Sequence, residues 1–473
     1  MVQMGPFHTD FNFGRLSRLL ALVTLGISAT YAQTQPVGGR CVVTAVPSQV
    51  RSEGITERTG DVLLECTGSN PGSVLAGNFS VYLPVSITNR VDATSRTLDA
   101  VFSVDYGAGF VPLGIPGQIS GQIIAFNGIS VTIPPSGNIK LKVSNIRANV
   151  SQFGTSVPQQ ILGQIIFSSN ASILVNQSQL VVAFSQPGLF TQLSTRGTIT
   201  CTGSPVPSLV NLTNLFETGT SFASTRVTEG FASAFQIRGP GDDSGTRFLV
   251  KYSGFPANTH LFVPDYVAGS NAATPTSGGD LGVPQSVGQY VPGSNSLLLA
   301  RVLYADTNGA GGVSPGAPNT PATLNSVSEI ALVNGSGYAV YEVVSANSAQ
   351  QESAQFPTFV GLADVQAPAI AQETIGFAPG SAVRTASTDA PVPRFAPVQP
   401  QSDCNILNDC SANYYPHLFV LPNPVRLTAI AGGAMTSQPG SIGVENSGGG
   451  TMPWTAVVRY TNGADWLTLD GAS

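Results

Sequence analysis

The clearest strand pattern of this chain is Gln122-Ile-Ile-Ala-Phe-Asn-Gly-Ile-Ser-Val-Thr-Ile133. Its second half alternates Ile or Val with Ser or Thr, a period of two that is typical of a strand with one buried face. Asn127-Gly128 interrupts the apolar residues, and both residues accept the positive φ of a type I′ turn. We therefore predict two strands joined by a hairpin at this point.

Other short strand patterns extend to both sides of this stretch. Residues 139–144 alternate Ile, Leu and Val with Lys and Ser, which predicts one buried and one wet face. Similar runs occupy residues 61–66, 78–83, 246–253, 260–264, 296–304 and 338–344. With 52 Gly and 34 Pro spread among Val, Ile and Thr, long helices are disfavoured. The sequence predicts an all-β protein with two larger β-sandwich-like domains, at residues 33–200 and 201–380.

The first residues have the features of a secretory signal peptide. An uncharged apolar run, Leu19-Leu-Ala-Leu-Val-Thr-Leu-Gly-Ile27, follows two arginines, and small residues lead up to Ala32. The run is shorter than the ~20 apolar residues that span a bilayer, so a signal at residues 1–32 is favoured over an anchor. We expect a mature chain that begins near Gln33 and is secreted, extracellular or at the cell surface. No transmembrane segment is predicted after it.

The charge balance bears on the possible partners. Charged residues make up 10% of the chain and its net charge is −6, without a basic run. Nucleic-acid binding needs a positive footprint, so it is disfavoured.

The five cysteines fit an oxidising compartment. Cys404 and Cys410 enclose a short loop, which predicts a local disulfide at the end of a Pro- and Ala-rich linker, residues 381–413. Cys41 and Cys66 each lie in a predicted strand of the first domain, so we predict a second disulfide between them. The partner of Cys201 stays open.

Motifs for catalysis or metal binding are missing from the sequence. It has no Gly-x-Ser-x-Gly elbow, His-Glu-x-x-His or phosphate loop, and the mature chain holds two histidines, His260 and His417. Asp242-Asp243 could serve as a glycosidase pair, but adjacent loop acids are more often turn formers. Asp306-Thr-Asn-Gly309 begins like a calcium loop and lacks its later ligands, so we predict a turn. We expect no catalytic residue, metal or cofactor, and no enzyme activity.

One loop concentrates charge. Glu53, Glu57 and Asp61 could form a cation site, or they could lie in a solvated loop with Arg51 and Arg58 as partners. We favour the solvated loop, because exposed acidic and basic residues commonly share one.

The last part of the chain, residues 414–473, is the third predicted unit. Short alternating runs surround the Asn446-Ser-Gly-Gly-Gly turn, Trp454 follows one strand later, and Asp465-Trp-Leu-Thr begins a further strand. This stretch resembles a BACON module, an immunoglobulin-like domain of exported bacterial proteins. The resemblance implies a small β-sandwich. It also implies further strands after the Trp-Leu segment, so we expect the module to be incomplete.

The same resemblance implies contact with carbohydrate or glycoprotein. Because aromatic rings stack on sugar faces, the candidate ligand-binding residues are Trp466, Trp454 and Tyr460. Core packing is the more common role for each Trp, since both stand in apolar strand patterns.

The sequence thus favours a secreted or cell-surface binding or display protein without catalytic activity, whose partners are extracellular glycans or glycoproteins. Two alternatives remain. The chain could be a structural spacer or matrix protein without a specific ligand, or the accessory arm of a larger extracellular enzyme. The identity of a ligand and the oligomeric state stay open.

Overall fold

The computed structural model describes a single unit that lies within Gly38–Ser473. The described residues are 39–154, 157–170, 173–195, 198–199, 221–257, 259–269, 289–290, 292–293, 296–324, 326–362, 369–397, 401–407, 418–421, 442–446, 453–461, 463 and 467–469. Cys201, Cys410, His417 and Trp466 lie outside them, as do the predicted signal peptide and the start predicted at Gln33.

The first half of the chain forms a sandwich of two six-stranded sheets. Its strands are β1 (Arg40–Ala45), β2 (Ser48–Arg51), β3 (Glu57–Arg58), β4 (Val62–Thr67), β5 (Val74–Tyr82), β6 (Val101–Asp105), β7 (Phe110–Pro112), β8 (Gln118–Ser120), β9 (Ile123–Thr132), β10 (Ile139–Ser144), β11 (Arg147–Ala148), β12 (Gln159–Ser169), β13 (Leu174–Val175) and β14 (Gln179–Gln186). One sheet has the order β13-β1-β4-β10-β6-β7 and the other β2-β14-β12-β5-β9-β8, while β3 pairs with β11 apart from both. A 3-10 turn, Val150–Phe153, precedes β12.

The alternation of apolar and polar residues along each strand decides which faces of these sheets are buried. β10 buries Ile139, Leu141 and Val143 and leaves its two lysines partly exposed, as predicted. Together with the inward residues of the facing sheet they form the first hydrophobic core, which holds the rings of Phe79, Phe102 and Phe126.

The predicted hairpin at Asn127-Gly128 is wrong, because residues 123–132 form one continuous strand, β9. The neighbouring β5 pairs with both halves of it, with Gly77 opposite Ile129 and Phe79 opposite Phe126. The turn-forming pair is therefore accommodated as a β-bulge. Gly128 has φ +72° and its N–H donates to Asn78 Oδ1 at 2.9 Å, so the signal marked a real backbone irregularity of another kind.

The second half of the chain forms another pair of sheets. Its strands are β15 (Leu189–Thr195), β16 (Thr198–Ile199), β17 (Ser221–Glu229), β18 (Arg247–Ser253), β19 (Thr259–Pro264), β20 (Tyr266–Ala268), β21 (Gln289–Tyr290), β22 (Leu298–Arg301), β23 (Leu303–Ala305), β24 (Gly311–Val313), β25 (Ala322–Thr323), β26 (Val327–Ile330), β27 (Gly337–Ser345), β28 (Ser353–Leu362), β29 (Ala369–Ala378) and β30 (Gln401–Leu407). The sheet orders are β15-β17-β28-β19-β26 and β16-β30-β29-β18-β27-β22-β20, with β21-β25 and β23-β24 as separate pairs. Aromatic rings dominate the second core, in which Phe377 stacks on Phe395 with ring centroids 4.5 Å apart.

The strand pairings differ from the predicted domain limits at two places. β15 precedes residue 200 and pairs with β17 of the second sandwich. β30 belongs to the predicted linker, residues 381–413, and pairs with β29. Val392 and Phe395 of the same segment are fully buried. Burial of these apolar side chains therefore overrides the Pro-rich composition from which the linker was predicted.

In the C-terminal part, β31 (Leu418–Leu421) pairs antiparallel with β32 (Gly443–Asn446). Residues 453–460 form no strand, in contrast to the prediction, and Trp454 and Val457 are exposed. Pro453 has no N–H to donate to a neighbouring strand. The apolar side chains of this segment stay exposed, so no burial stabilises a strand here.

The prediction of an all-β protein is confirmed. No helix capable of spanning a bilayer occurs in the described part of the chain.

Candidate functional site

A set of charged residues, of which Arg51, Glu57 and Arg147 are buried, lies where the two sandwiches meet. We call Arg51, Glu57, Arg58, Arg147 and Asp242 the charged junction. Arg51 ends β2, and the following loop returns Glu57 to it. The Arg51 Nε donates to Glu57 Oε1 at 2.9 Å and Nη2 lies 2.7 Å from the same oxygen, while the Arg51 N–H donates to Oε2 at 3.1 Å. Both residues are 4% exposed, so the two side chains form an ion pair inside the protein.

The Arg51 guanidinium also reaches the second sandwich. Its Nη1 donates to the Ala234 carbonyl at 3.0 Å and to Thr246 Oγ1 at 2.9 Å. The guanidinium carbon lies 4.8 Å from the centre of the Phe395 ring, a cation–π distance. One side chain thus links β2, a loop of the second sandwich and the buried segment before β30.

Asp242 forms the other link between the two halves. Its Oδ1 accepts from Arg147 Nη2 at 2.7 Å and from Arg58 Nη2 at 3.1 Å, and its Oδ2 accepts from the Gly239 N–H at 3.2 Å. Arg147 Nη1 also donates to the Thr56 carbonyl at 3.1 Å. Burial lowers the pKa of Arg147 and the nearby Arg58 adds to this, whereas the Asp242 carboxylate opposes it.

The neighbouring Asp243 makes a third link. It pairs with Arg90 of the first sandwich, and its Oδ2 accepts from the Val392 N–H at 2.8 Å. Asp242 does form a turn as predicted, because its N–H donates to the Gly239 carbonyl at 3.1 Å. The arginine partnerships of both acids were not predicted.

The prediction of a solvated loop is wrong for Glu53 and Glu57, whereas the Asp61 side chain is 45% exposed, and Arg51 pairs with Glu57 as predicted. Glu53 and Glu57 are buried, and each of the three has a different partner. Glu53 Oε2 accepts from the Gly188 N–H at 2.9 Å, and Asp61 lies 3.6 Å from Lys142 Nζ. Burial raises the pKa of Glu53, with the backbone hydrogen bonds opposing the shift. The segment that holds Glu53 and Glu57 is buried, and its charges are matched by groups on both sandwiches.

A cavity of about 310 Å³ opens beside the charged junction, and Ser48, Gln49, Gln236 and Ser244 contribute to its walls. The lining carries guanidinium, carboxylate, amide and hydroxyl groups. Both carboxylates in it, Glu57 and Asp242, accept charge-assisted hydrogen bonds from arginine. The junction can hold the sandwiches together and contact small polar molecules.

A second buried acidic pair lies nearby in the second sandwich. Glu229 Oε1 accepts from the Phe235 N–H at 2.6 Å and its Oε2 from the Glu352 N–H at 2.9 Å. Glu352 Oε2 accepts from the Asn347 N–H at 2.7 Å. Burial raises the pKa of each carboxyl to about 7, and the Glu352 charge adds to the shift at Glu229. Sequence reasoning missed both residues, since each stands alone at the end or start of an apolar strand.

The predicted ligand-binding residues lie in the C-terminal part. Trp454 is 36% exposed on an irregular segment, so core packing does not account for it. Tyr460 is partly buried, and its hydroxyl donates to the Leu467 carbonyl at 2.6 Å. The backbone next to Trp466 therefore lies close to Tyr460, although Trp466 itself is outside the described residues.

Among the predicted disulfides, the bond between Cys41 and Cys66 is confirmed. The predicted bond between Cys404 and Cys410 falls outside the described side chains and stays a prediction. His260 contacts Glu329, with Nδ1 and Oε1 2.6 Å apart. Asp306 forms the predicted turn: its carbonyl accepts from the Gly309 N–H at 2.9 Å.

No protein-family model matches this chain, and no curated protein matches it in sequence. Similar solved structures include the C-terminal domain of the antigen I/II polypeptide BspA of Streptococcus agalactiae, at 8% identity and a TM-score of 0.30, covering 78% of this chain and 99% of that one. The C-terminal domain of the antigen I/II-family protein AspA of Streptococcus pyogenes has 8% identity and a TM-score of 0.31 over the same shares. The collagen adhesin of S. aureus has 10% identity and a TM-score of 0.15, covering 78% of this chain and 91% of that one. Similarity at this level leaves the function to be argued from the residues of this chain.

Proposed function

We propose that this protein is secreted and works at the cell surface or outside the cell as a binding or display protein without catalytic activity. Its ligands in this proposal are extracellular glycans or glycoproteins. The BACON-like character of residues 414–473 belongs to the same proposal.

The observation that supports this proposal best is that the charged groups between the sandwiches form hydrogen bonds and ion pairs with one another. Arg51 pairs with Glu57, and Arg147 and Arg58 pair with Asp242, so the charged groups beside the cavity hold the two sandwiches together. The Cys41–Cys66 disulfide suits an oxidising compartment outside the cytoplasm. The working surface is then the exposed one, where aromatic rings such as Trp454 can stack on sugar faces.

A glycan and glycoprotein array tests the proposal. The expected result is binding by the purified full chain and a loss of about tenfold or more in affinity for Trp454→Ala, since removing a stacked ring costs over 1 kcal/mol. Tyr304→Ala is the matched control, because Tyr304 is an exposed aromatic residue of the second sandwich, 91% exposed, and its loss should leave binding unchanged.

A second candidate function, a structural spacer without a specific ligand, is favoured by the charged junction itself. Buried ion pairs that join both halves suit a part that must keep its geometry. No binding to any array component, by a folded protein, would support the spacer and contradict the binding proposal.

A further inference from the structure

The two outer faces of the first sandwich differ in charge. On the sheet that contains β10, a cross-strand row places Lys140 between Glu65 and Asp105, and Lys142 follows two residues later. On the other sheet, the strands β5, β8, β9, β12 and β14 contain no Lys, Arg, Asp, Glu or His at all. We call the outward side of these five strands the amide face.

Amide, hydroxyl and apolar side chains make up the amide face. One row crosses it as Gln179, Gln164, Tyr82, Ile123 and Ser120, each opposite the next on the neighbouring strand. Residues at every second position of β12, from Gln160 to Ser168, are exposed.

Large apolar side chains on this face remain in contact with water. Ile166 is 55% exposed and Leu162 is 39% exposed, and both project from β12 in the middle of the sheet. Phe184 on the neighbouring β14 and Ile123 on β9, two strands away, are exposed as well. A central strand that presents aliphatic side chains without charged neighbours is typical of a contact surface.

We propose that the amide face is the surface through which this protein associates with a second copy of itself. A two-fold contact brings the same patch of both copies together, so the patch must be complementary to itself. Gln and Ser side chains both donate and accept hydrogen bonds and can therefore pair with their own kind. A face with fixed charges would oppose like charges near the axis, and the whole chain carries a net charge of −6.

The dimensions of the face agree with this partner. Five strands spaced ~4.8 Å apart give a width of about 19 Å, and the outward residues of β12 span ~27 Å at ~3.4 Å for each residue. Two such faces would bury on the order of 1,000 Å² in total, which lies at the lower limit of a specific interface and suits a weak, concentration-dependent dimer. Two such faces can pack as sheets about 10 Å apart, in the manner of a sandwich.

Sedimentation velocity of the full chain between ~1 and ~100 µM covers the affinity range of such contacts. The wild-type mass should rise with concentration to twice that of the monomer. Ile166→Lys should keep the protein monomeric, because a buried unpaired ammonium opposes association. Val42→Lys is the matched control: Val42 is 37% exposed on the charged outer face of the opposite sheet, and its replacement should leave the dimer intact.

A second pair of variants, with smaller changes in side-chain size, separates loss of association from loss of folding. Gln164→Glu changes one amide to a carboxylate of the same size in the centre of the face and should weaken the dimer about tenfold or more, whereas Thr44→Glu on the opposite sheet should not. A wild-type protein that stays monomeric at the highest concentration contradicts the proposal. So does a dimer that survives both Ile166→Lys and Gln164→Glu, and so does a monomer that binds neutral glycans through this face.

Discussion

Arg51 unites three kinds of contact at the scale of a single residue. It forms a buried pair with Glu57, hydrogen bonds to the Ala234 carbonyl and Thr246, and a cation–π contact with Phe395. Removing one partner of a buried pair leaves the other charge uncompensated, which costs far more than an exposed pair contributes.

Arg51→Ala should therefore lower the free energy of unfolding by about 3–5 kcal/mol, because Glu57 is left buried without its cation. Urea denaturation of the full chain measures this. Arg40→Ala is the control, since Arg40 is exposed at the start of β1 and should change the stability by less than about 0.5 kcal/mol. A loss below about 1 kcal/mol for Arg51→Ala would mean that water reaches Glu57 freely.

The raised pKa values of Glu229 and Glu352 predict how the stability of the protein depends on pH. Each carboxyl has its pKa raised from 4.5 to about 7 in the folded protein. Between these values the folded state keeps protons that the unfolded state releases, so the free energy of unfolding falls as pH rises from 4.5 to about 7. The stabilisation is complete below pH 4.5 and lost above pH 7.

Urea denaturation at pH 5 and pH 8 checks this fall. Glu229→Gln combined with Glu352→Gln should remove most of it, and Glu53, whose pKa is also raised, should leave a small remainder. Glu65→Gln, on the exposed face of the first sandwich, should retain the wild-type fall. A wild-type stability that is level or rises from pH 5 to pH 8 would contradict the burial of these carboxyls. Asp92 and Asp105, whose pKa values are lowered, act below pH 3.8 and do not disturb this window.

At the scale of the elements, β1 and β4 are joined twice. They pair antiparallel over six residues, and Cys41 lies directly opposite Cys66, where the disulfide forms. The bond closes a loop with a sequence separation of 25, and such a loop restricts the unfolded chain.

Reduction should therefore lower the free energy of unfolding by about 3 kcal/mol. The measurement is urea denaturation with and without reductant. Cys41→Ala combined with Cys66→Val keeps the apolar volume of the site, and its residual response to reductant isolates the contribution of the other cysteines. Equal stability of the wild type in both conditions would refute the expected role of the bond.

Local patterns predict some of these elements well and others poorly. β10 could be predicted because its alternation is contained in six residues. The sequence could not distinguish the bulge at Asn127-Gly128 from a hairpin. The bulge depends on pairing with β5, where Asn78, fifty residues before Gly128, accepts its N–H. The segment around Phe395 has the composition of a linker, so its burial could not be predicted from the sequence. Phe395 is buried because its ring stacks on that of Phe377.

The charged junction was the least predictable part of the site. Arg51 and the Ala234 carbonyl are 183 residues apart, and Arg58 and Asp242 are 184 apart. An arginine in a charged loop has the same sequence signature whether the loop is solvated or covered by a second sandwich. The Cys41–Cys66 bond was predictable because both cysteines stand in recognisable strands of one sheet.

At the scale of the whole molecule, two hydrophobic cores are held together by ion pairs whose members come from both halves of the chain. Ion pairs in this position favour a protein that keeps a fixed shape and binds its ligands at the exposed surface. The proposed function, binding without turnover, rests on this arrangement together with the exposed ring of Trp454 in the C-terminal part.

The most direct test of that claim follows binding and chemistry in one experiment. The purified full chain is incubated with the polysaccharides and glycoproteins of the array, and mass spectrometry compares each ligand before and after exposure. We expect saturable binding to at least one ligand, with every ligand recovered unchanged. Release of cleaved or modified ligand, or the absence of binding by a folded protein, would contradict the proposed function.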